Sequence, residues 1–167
     1  LLGLAIIKQS GEKQYRGFFK FIDFSKKIIL VTGHRRESFG TPFEEICYAL
    51  RDLAERGDVE IVYPVHLNPN VQEPVKRILK DVNNVHLIEP ISYPYLIWLM
   101  SQSYLVITDS GGIQEEAPTL GKPVLVMRDV TERLEGVEAG TAKLVGAKKA
   151  DIVDNANILL NDQQAYD

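Results

Sequence analysis

Several residue types are scarce in this chain, and each scarcity excludes a class of protein. The 167 residues include one cysteine, Cys47, so no disulfide can form within the chain, and a reducing cytoplasm suits it. No apolar run approaches the roughly 20 residues that a transmembrane helix needs. Lys and Arg number 19 against 23 Asp and Glu, which argues against general nucleic-acid binding. We therefore expect a cytoplasmic protein with neither a nucleic-acid nor a membrane partner.

The composition is instead that of a globular protein. Hydrophobic residues make up 45% of the chain and charged residues 25%, which is enough apolar material for a sizeable core. One domain is the default expectation at this length. The first residue is Leu1 rather than a methionine, so we expect the chain to be a piece of a longer one.

Apolar β-branched runs alternate with amphipathic segments from Lys26 onward, and this alternation predicts the fold class. We expect an α/β fold with a doubly wound, Rossmann-like parallel sheet, which binds ligands at the carboxyl ends of its strands. The predicted strands are residues 28–32, 61–65, 85–88, 105–107, 124–126 and 142–145, and the predicted helices are residues 42–56, 69–80, 93–103, 113–117 and 150–160. Residues 1–24 would form a connecting segment or a docked helix, and residues 25–167 the ligand-binding domain.

The strongest functional pattern begins where the fourth predicted strand ends. Asp109-Ser110-Gly111-Gly112 follows it and precedes a helix-forming segment, so Ser110 is placed to cap that helix. Gly111 and Gly112 lack Cβ atoms, which lets phosphate oxygens approach the free amides of the helix N-terminus. A tight corner without a ligand is the alternative interpretation, and for the glycines alone it is the commoner one.

Residues downstream of the glycines favour the functional interpretation. Glu116 lies about one turn into the helix, where its carboxylate is placed to accept hydrogen bonds from both hydroxyls of a ribose. Pro118 shortens or kinks the same helix, and Gly121 is a signal for its C-terminal cap. The pattern therefore predicts a short helix whose N-terminus faces a nucleotide.

Three more polar segments, GHRRESFG, HLNPN and RDVTERLEG, also follow predicted strands. Because the carboxyl ends of parallel strands meet at one edge, the fold would gather all these segments there. Arg35, Arg36 and Arg133 can neutralise phosphates, although a surface ion pair is equally common for any one arginine. The sequence thus predicts an anion site built from distant segments.

The histidines and the cysteine need separate interpretations. His34 and His66 stand near strand ends, where a proton carrier and a structural hydrogen-bonding residue are equally common. His86 lies within an apolar strand, and we assign it to structure. Cys47 falls on the apolar face of a predicted helix, so we assign it to the core.

The segments TGHRRESFG, YPVHLNPNV, TDSGGIQEEAPTLGKPVLVMRD and TERLEG closely resemble the C-terminal half of bacterial non-hydrolysing UDP-N-acetylglucosamine 2-epimerases. The resemblance covers residues 26 to about 167, with four motifs in the order and spacing of the family. In that family two Rossmann-like domains, arranged as in GT-B glycosyltransferases, close over the nucleotide sugar. The resemblance implies that this chain is one of the two domains and that the N-terminal one is absent from it.

The family's reaction interconverts UDP-N-acetylglucosamine and UDP-N-acetylmannosamine in the biosynthesis of cell-surface polysaccharides. UDP leaves by anti elimination to give a glycal and adds back with opposite configuration at C2. The resemblance implies no cofactor and no metal, and it implies a homodimer for the full-length protein. The acid and base carboxylates of the family lie on the N-terminal domain, so we assign those roles to no residue of this chain.

Roles for individual residues follow from the same resemblance. It implies that Ser110, Gly111, Gly112 and Arg133 bind the phosphate region, that Glu116 binds the ribose and that His34 faces the reacting sugar. It also places Arg35 and His66 beside a second, regulatory UDP-N-acetylglucosamine. Two positions depart from the family. Leu134 replaces a proline beside Arg133. Leu96 stands where an aromatic residue of the family often contacts the uracil, and Tyr95 is also placed to make that contact.

Two other functions fit the same residues. A donor-binding domain of a GT-B glycosyltransferase would keep the phosphate glycines and the ribose carboxylate, but gives no reason for HRRE and HLNPN together. A non-enzymatic sensor would bind UDP-sugars without epimerising them. Activity of the full-length protein distinguishes the three.

Overall fold

The computed structural model describes residues 17–32, 41–65, 69–108, 113, 117, 120–127, 142–145 and 149–161. The strands are β1 (Lys27–Thr32), β2 (Val59–Pro64), β3 (Val85–Ile88), β4 (Leu105–Thr108), β5 (Val124–Val126) and β6 (Ala142–Leu144). The helices are α1 (Thr41–Ala54), α2 (Pro69–Leu79), α3 (Tyr93–Gln102) and α4 (Lys149–Asn161). None of the helices in these ranges is both long and apolar enough to cross a membrane.

All six strands join one parallel sheet in the order β3-β2-β1-β4-β5-β6. The chain builds outward from β1 to one edge, then returns to β4 and builds outward to the other edge. The strand order therefore reverses between β1 and β4, as in a Rossmann fold. The predicted fold class, a doubly wound and Rossmann-like parallel sheet, is confirmed.

Side chains alternate between two buried layers along the central strands, because successive residues of a strand point to opposite faces. Ile29 and Val31 of β1 join the layer that α1, α2 and α4 cover. Ile28 and Leu30 join the layer that α3 covers, together with the helical residues Ile113 and Ala117. With both faces covered, the buried positions of the strands are mostly apolar, as their sequences predict, and the buried polar residues among them are Glu60 and Thr108.

Residues 17–24 pack on the α3 face of the sheet. Phe19 is fully buried and stacks on Trp98, with ring centroids 5.6 Å apart and planes 5° from parallel. The backbone amide of Asp23 donates to Glu60 Oε1 at 3.1 Å, and the same oxygen lies 2.9 Å from Nε2 of His86. The predicted connecting segment or docked helix over residues 1–24 falls mostly outside the described residues and stays a prediction.

The element boundaries that the structure describes lie within two residues of the sequence predictions. Strand β2 begins at Val59 rather than at Ile61, because Glu60 pairs with β1 and has its carboxylate buried against His86. Helix α1 includes Thr41, which the sequence places at the N-cap. The predicted helix stop at Gly57 is confirmed, since this residue has a φ of +80° and its amide donates to the Ala54 carbonyl at 3.3 Å.

Candidate functional site

The central strands end at one level, and this creates the edge on which a site can form. Thr32 at the end of β1 pairs with Thr108 of β4, and Thr108 pairs with Val126 of β5. The register that pairs Leu30 with Val62 also brings Thr32 level with Pro64, the last residue of β2. The four polar segments of the sequence therefore start from neighbouring strand ends: residues 33–40 after β1, 66–68 after β2, 109–112 after β4 and 128–136 after β5.

A crevice is expected between β1 and β4, because the chain leaves these two strands toward opposite faces of the sheet. Helix α1, which follows β1, packs in one buried layer through residues such as Leu50. Ile113 and Ala117, which follow β4, are buried in the other layer. In doubly wound folds this reversal point is where ligands bind.

Eight of the predicted site residues lie outside the described residues: His34, Arg35, His66, Ser110, Gly111, Gly112, Glu116 and Arg133. Arg36 and Leu134 lie outside them as well. The strands that lead to these residues are described, and they converge on the carboxyl edge between β2 and β5. The roles assigned to the individual residues stay predictions.

Leu96 is the one predicted contact residue whose side chain is described. It lies in the first turns of α3 and is half-buried against the layer that contains Trp98. The ring of Tyr95 contacts Phe18 and Phe19, with centroid distances of 4.7 and 6.3 Å. Tyr95 therefore packs on residues 17–24, which makes Leu96 the better candidate for an apolar contact with a base.

The helix predicted after the phosphate glycines is supported at the positions that are described. Ile113 and Ala117 are helical and buried. Gly121 has a φ of +75°, and the Lys122 and Leu120 amides both donate to the Ala117 carbonyl at 3.0 Å. This bonding ends the helix in a Schellman-type motif, as Gly121 predicts. Glu116 belongs by sequence to this helix, one residue before Ala117.

Lys122 is a cation near this helix, but its position excludes it from the candidate site. It directly precedes Pro123 and β5, so it lies at the amino edge of the sheet, opposite the crevice. Burial lowers its pKa, because desolvation disfavours the charged ammonium group. Lys122 is therefore not a candidate for phosphate neutralisation at the carboxyl edge.

A hydroxyl pair at the crevice was missed in the interpretation of the sequence. Thr32 Oγ1 and Thr108 Oγ1 are 2.5 Å apart, and Thr108 is fully buried. The available signal was that both TGHRR and TDSGG begin with a threonine at the end of an apolar strand. Hydroxyls in that position need a hydrogen-bond partner, so the two residues could have been predicted to meet.

A separate cavity lies beside the ends of β2 and β3, on the side of α2. Its volume is about 170 Å³, and its lining residues are Val65, Gln72, Lys76, Leu87, Ile88 and Glu89. Ligand pockets for molecules of nucleotide size are usually above about 300 Å³. The cavity therefore is too small to be the nucleotide site, although Val65 directly precedes His66.

Comparisons with known proteins agree with the motifs. A family model described as UDP-N-acetylglucosamine 2-epimerase matches residues 5–167. The UDP-N-acetylglucosamine 2-epimerase of Escherichia coli K12 is 63% identical over 149 residues, which are 89% of this chain and 40% of that protein. The structure of the Neisseria meningitidis UDP-GlcNAc 2-epimerase bound to UDP-GlcNAc superposes with a TM-score of 0.90 at 47% identity, covering 93% of this chain and 42% of that one.

A more distant structure has the same fold over the same span. It is the Methanocaldococcus jannaschii UDP-GlcNAc 2-epimerase in complex with UDP-GlcNAc and UDP, with a TM-score of 0.81 at 31% identity over 96% of this chain and 45% of that one. The chain spans about 40% of the length of the curated relatives that it matches. Because the family model covers nearly the whole sequence, this chain belongs to the UDP-N-acetylglucosamine 2-epimerase family.

Proposed function

We propose that this chain is the UDP-binding domain of a bacterial enzyme that interconverts UDP-N-acetylglucosamine and UDP-N-acetylmannosamine. The observation that supports the proposal is that four family motifs follow strands that end side by side at one edge of the sheet. The segments GHRRESFG, HLNPN, DSGG and RDVTERLEG begin at the adjacent ends of β1, β2, β4 and β5. Relatives of this fold are described with UDP-GlcNAc or with UDP bound.

The chemistry of the crevice suits a departing diphosphate. Expulsion of UDP from the sugar develops negative charge on the phosphates. Ser110, Gly111 and Gly112 would offer backbone amides at a helix N-terminus, and Arg133 would add a guanidinium group that can bind two oxygens at once. Glu116, one turn into that helix, would accept hydrogen bonds from the ribose hydroxyls.

The residues that follow β1 and β2 would contact the sugars. His34 follows Thr32 by two residues and would face the reacting carbons. Arg35 and His66, after β1 and β2, would contact a second UDP-N-acetylglucosamine with a regulatory role. The acid and base carboxylates would come from the length that the relatives have beyond this chain, so the complete activity belongs to the full-length protein.

Calorimetry of the 167-residue chain with UDP and with pyrophosphate tests the proposal. UDP should bind, and weakly, because only one wall of the cleft is present to exclude water. The substitution Glu116→Ala should weaken UDP binding and leave pyrophosphate binding nearly unchanged. Equal losses for the two ligands would contradict the ribose role, and no UDP binding at all would contradict the proposed function.

Turnover by the full-length protein separates the remaining alternatives. NMR of UDP-N-acetylglucosamine incubated with that protein should show UDP-N-acetylmannosamine appearing until the two reach equilibrium. Transfer of the sugar to an acceptor would instead indicate a GT-B glycosyltransferase. Binding with neither reaction would indicate a sensor.

A further inference from the structure

The first turn of α3 lies at the carboxyl edge of the sheet and carries Leu96, the candidate contact for the base. Strand β3 ends at Ile88 and α3 begins at Tyr93, so this turn stands where doubly wound sheets bind ligands. A side-chain cap commonly fixes such a turn. In this part of the chain, which the structure describes, the Ser92 side chain at the N-cap position makes no capping hydrogen bond. Packing against the turn therefore matters more for its position.

Two adjacent phenylalanines supply that packing. The ring centroid of Phe18 lies 4.7 Å from that of Tyr95. The ring of Phe19 lies 6.3 Å from Tyr95 and stacks on Trp98 at 5.6 Å. These separations are those of favourable aromatic pairs. Tyr95 and Trp98 are three residues apart and share a face of the helix, and Leu96 lies between them in sequence. The phenylalanines therefore hold the turn directly beside Leu96.

Residues 17–24 are also tied to the sheet, which makes them a firm support for this turn. The amide of Asp23 donates to Glu60 Oε1 at 3.1 Å, and Glu60 is buried within β2. The same oxygen lies 2.9 Å from Nε2 of His86 in β3. Ile22 is buried in the layer between the sheet and α3. The segment thus links the position of α3 to β2 and β3.

We propose that Phe18 is a positioning residue for the base-binding part of the nucleotide site. Its ring supports Tyr95 and so holds the first turn of α3 where Leu96 meets the base. The inference rests on the proposed function, because it concerns the same UDP site. Phe18 does not touch the ligand in this account, and it acts through Tyr95 and Leu96. Its effect is therefore confined to the uridine part of the ligand and spares the phosphates.

Phe18 is a suitable residue to test, because 50% of its side chain is exposed and its loss opens no buried cavity. Tyr95 has further interactions in the protein, so a substitution there would disturb more than this contact. The variants are Phe18→Ala, Phe18→Tyr, Leu96→Ala and the double Ala variant. The matched control is Ile158→Ala, which removes an apolar side chain that is 52% exposed, from α4 on the other face of the sheet.

Each variant of the 167-residue chain is checked for its melting temperature and is then titrated below that temperature by calorimetry. The two ligands are UDP and pyrophosphate, which share the diphosphate and differ in the uridine. A loss of UDP affinity with pyrophosphate affinity retained therefore reports on the uridine contacts. A merely structural role of Phe18 would not change the two affinities differently.

Phe18→Ala should raise the Kd of UDP by about three- to fivefold and leave that of pyrophosphate unchanged, since only the base contact is displaced. Phe18→Tyr should bind UDP as the unmodified chain does, because it keeps the ring and its hydroxyl can reach solvent. Leu96→Ala should raise the Kd of UDP by about three- to tenfold. The double variant should match Leu96→Ala, because Phe18 acts through Leu96. Ile158→Ala should change neither Kd.

Four results would overturn the positioning role while leaving the proposed function standing. The first is an unchanged Kd of UDP in Phe18→Ala, and the second is an equal loss for UDP and pyrophosphate. The third is a double variant in which the two single losses add in full. The fourth is normal UDP binding by Leu96→Ala, which would place the base contact elsewhere. If the unmodified chain itself fails to bind UDP, the proposed function falls and the positioning role falls with it.

Discussion

His34 lies two residues beyond the end of β1, and its two possible roles lead to different kinetics. If it donates a hydrogen bond or a proton near the leaving group, His34→Ala should lower kcat of the full-length enzyme by about 10²- to 10⁴-fold and change the shape of its pH–rate profile. UDP affinity should change less. If His34 only ties its segment to the sheet, the variant should lose thermal stability and UDP affinity together, with the pH profile unchanged in shape.

Arg133→Ala is the variant to compare with His34→Ala, because the proposed role of Arg133 is to bind the departing diphosphate. Its loss removes charge stabilisation that grows as the bond to the sugar breaks, so kcat should fall by about 10²- to 10³-fold. A guanidinium group does not titrate near neutral pH, and the pH–rate profile should therefore keep its shape. A changed profile in this variant would argue that the profile does not report on His34.

Cys47 is fully buried in the layer between α1 and the sheet, and burial raises the pKa of its thiol to about 12. Since the thiolate is the reactive form, Ellman's reagent should not label the folded chain at pH 8 and should label one thiol after denaturation in urea. The raised pKa contributes to stability below pH 9 and the contribution is lost as the pH rises toward 12. Rapid labelling of the folded chain would contradict the burial.

Residue types alone could identify some of these roles and not others. Cys47 was correctly assigned to the core, because the period of its helix places it on the buried face. His86 lies in β3, as predicted, and is half-buried beside Glu60. The partners of His86 could not be predicted, since Glu60 and the amide of Asp23 come from segments that only the folded sheet brings together. The pairing of Thr32 with Thr108 was missed, although a threonine at the end of each apolar strand was a signal for it.

At the scale of an element, residues 17–24 pack on α3 and the sheet through several side chains, of which Phe19 is the most deeply buried. Phe19 is fully buried and stacks on Trp98, whereas Phe18 in the same turn is 50% exposed. Phe19→Ala should lower the free energy of unfolding by about 3 to 5 kcal/mol, the usual cost of removing a buried phenylalanine. Urea denaturation followed by tryptophan fluorescence measures it, because Trp98 is the only tryptophan of the chain.

Phe18→Ala is the matched control for Phe19→Ala. It removes the same side chain from the adjacent position, but half of that side chain lies in solvent and its loss opens no buried cavity. The free energy of unfolding should fall by clearly less than in Phe19→Ala. Equal losses would show that the stacking on Trp98 does not fasten this segment.

Elements with strong local signals could be predicted from the sequence, and weakly signalled ones could not. The start of α2 at Pro69 and the turns at Gly57 and Gly121 follow from backbone chemistry that acts within a few residues. The start of β2 was placed too late, because a buried glutamate has no local signature. Residues 17–24 lacked a clear period, since their aromatic side chains pack on α3 rather than on one another in a repeating pattern.

At the scale of the whole molecule, alternation of strands and helices predicted a parallel doubly wound sheet, and the sheet confirms it. Local sequence patterns do not determine the order of the strands. It depends on which face each connection crosses, and the reversal between β1 and β4 is visible only once α1 and Ala117 are seen in opposite layers. In doubly wound sheets ligands bind at such a reversal, and the segments that follow β1 and β4 begin beside it.

The full-length protein is expected to be a cytoplasmic homodimer, on the resemblance to its family. The described residues contain four exposed large hydrophobic side chains: Phe18 and Phe21 in residues 17–24, Tyr93 at the start of α3 and Ile158 in α4. Single exposed hydrophobic residues are normal on a monomer surface. Within the described part of the chain, these side chains alone therefore do not mark a dimer interface.

The chain by itself should show no epimerase activity, because the groups proposed for it bind the leaving UDP and none of them is assigned to the proton transfer at C2. In the proposed function its arginines, amides and Glu116 would bind and stabilise the UDP that leaves, but no carboxylate of the chain is assigned to the proton at C2. Without that proton transfer the elimination has no path, however well the leaving group is stabilised. NMR of UDP-N-acetylglucosamine incubated with the 167-residue chain should show no product over a time in which the full-length protein reaches equilibrium. Turnover by the chain alone would mean that one of its own Asp or Glu side chains reaches C2, and the division of roles between two domains would be wrong.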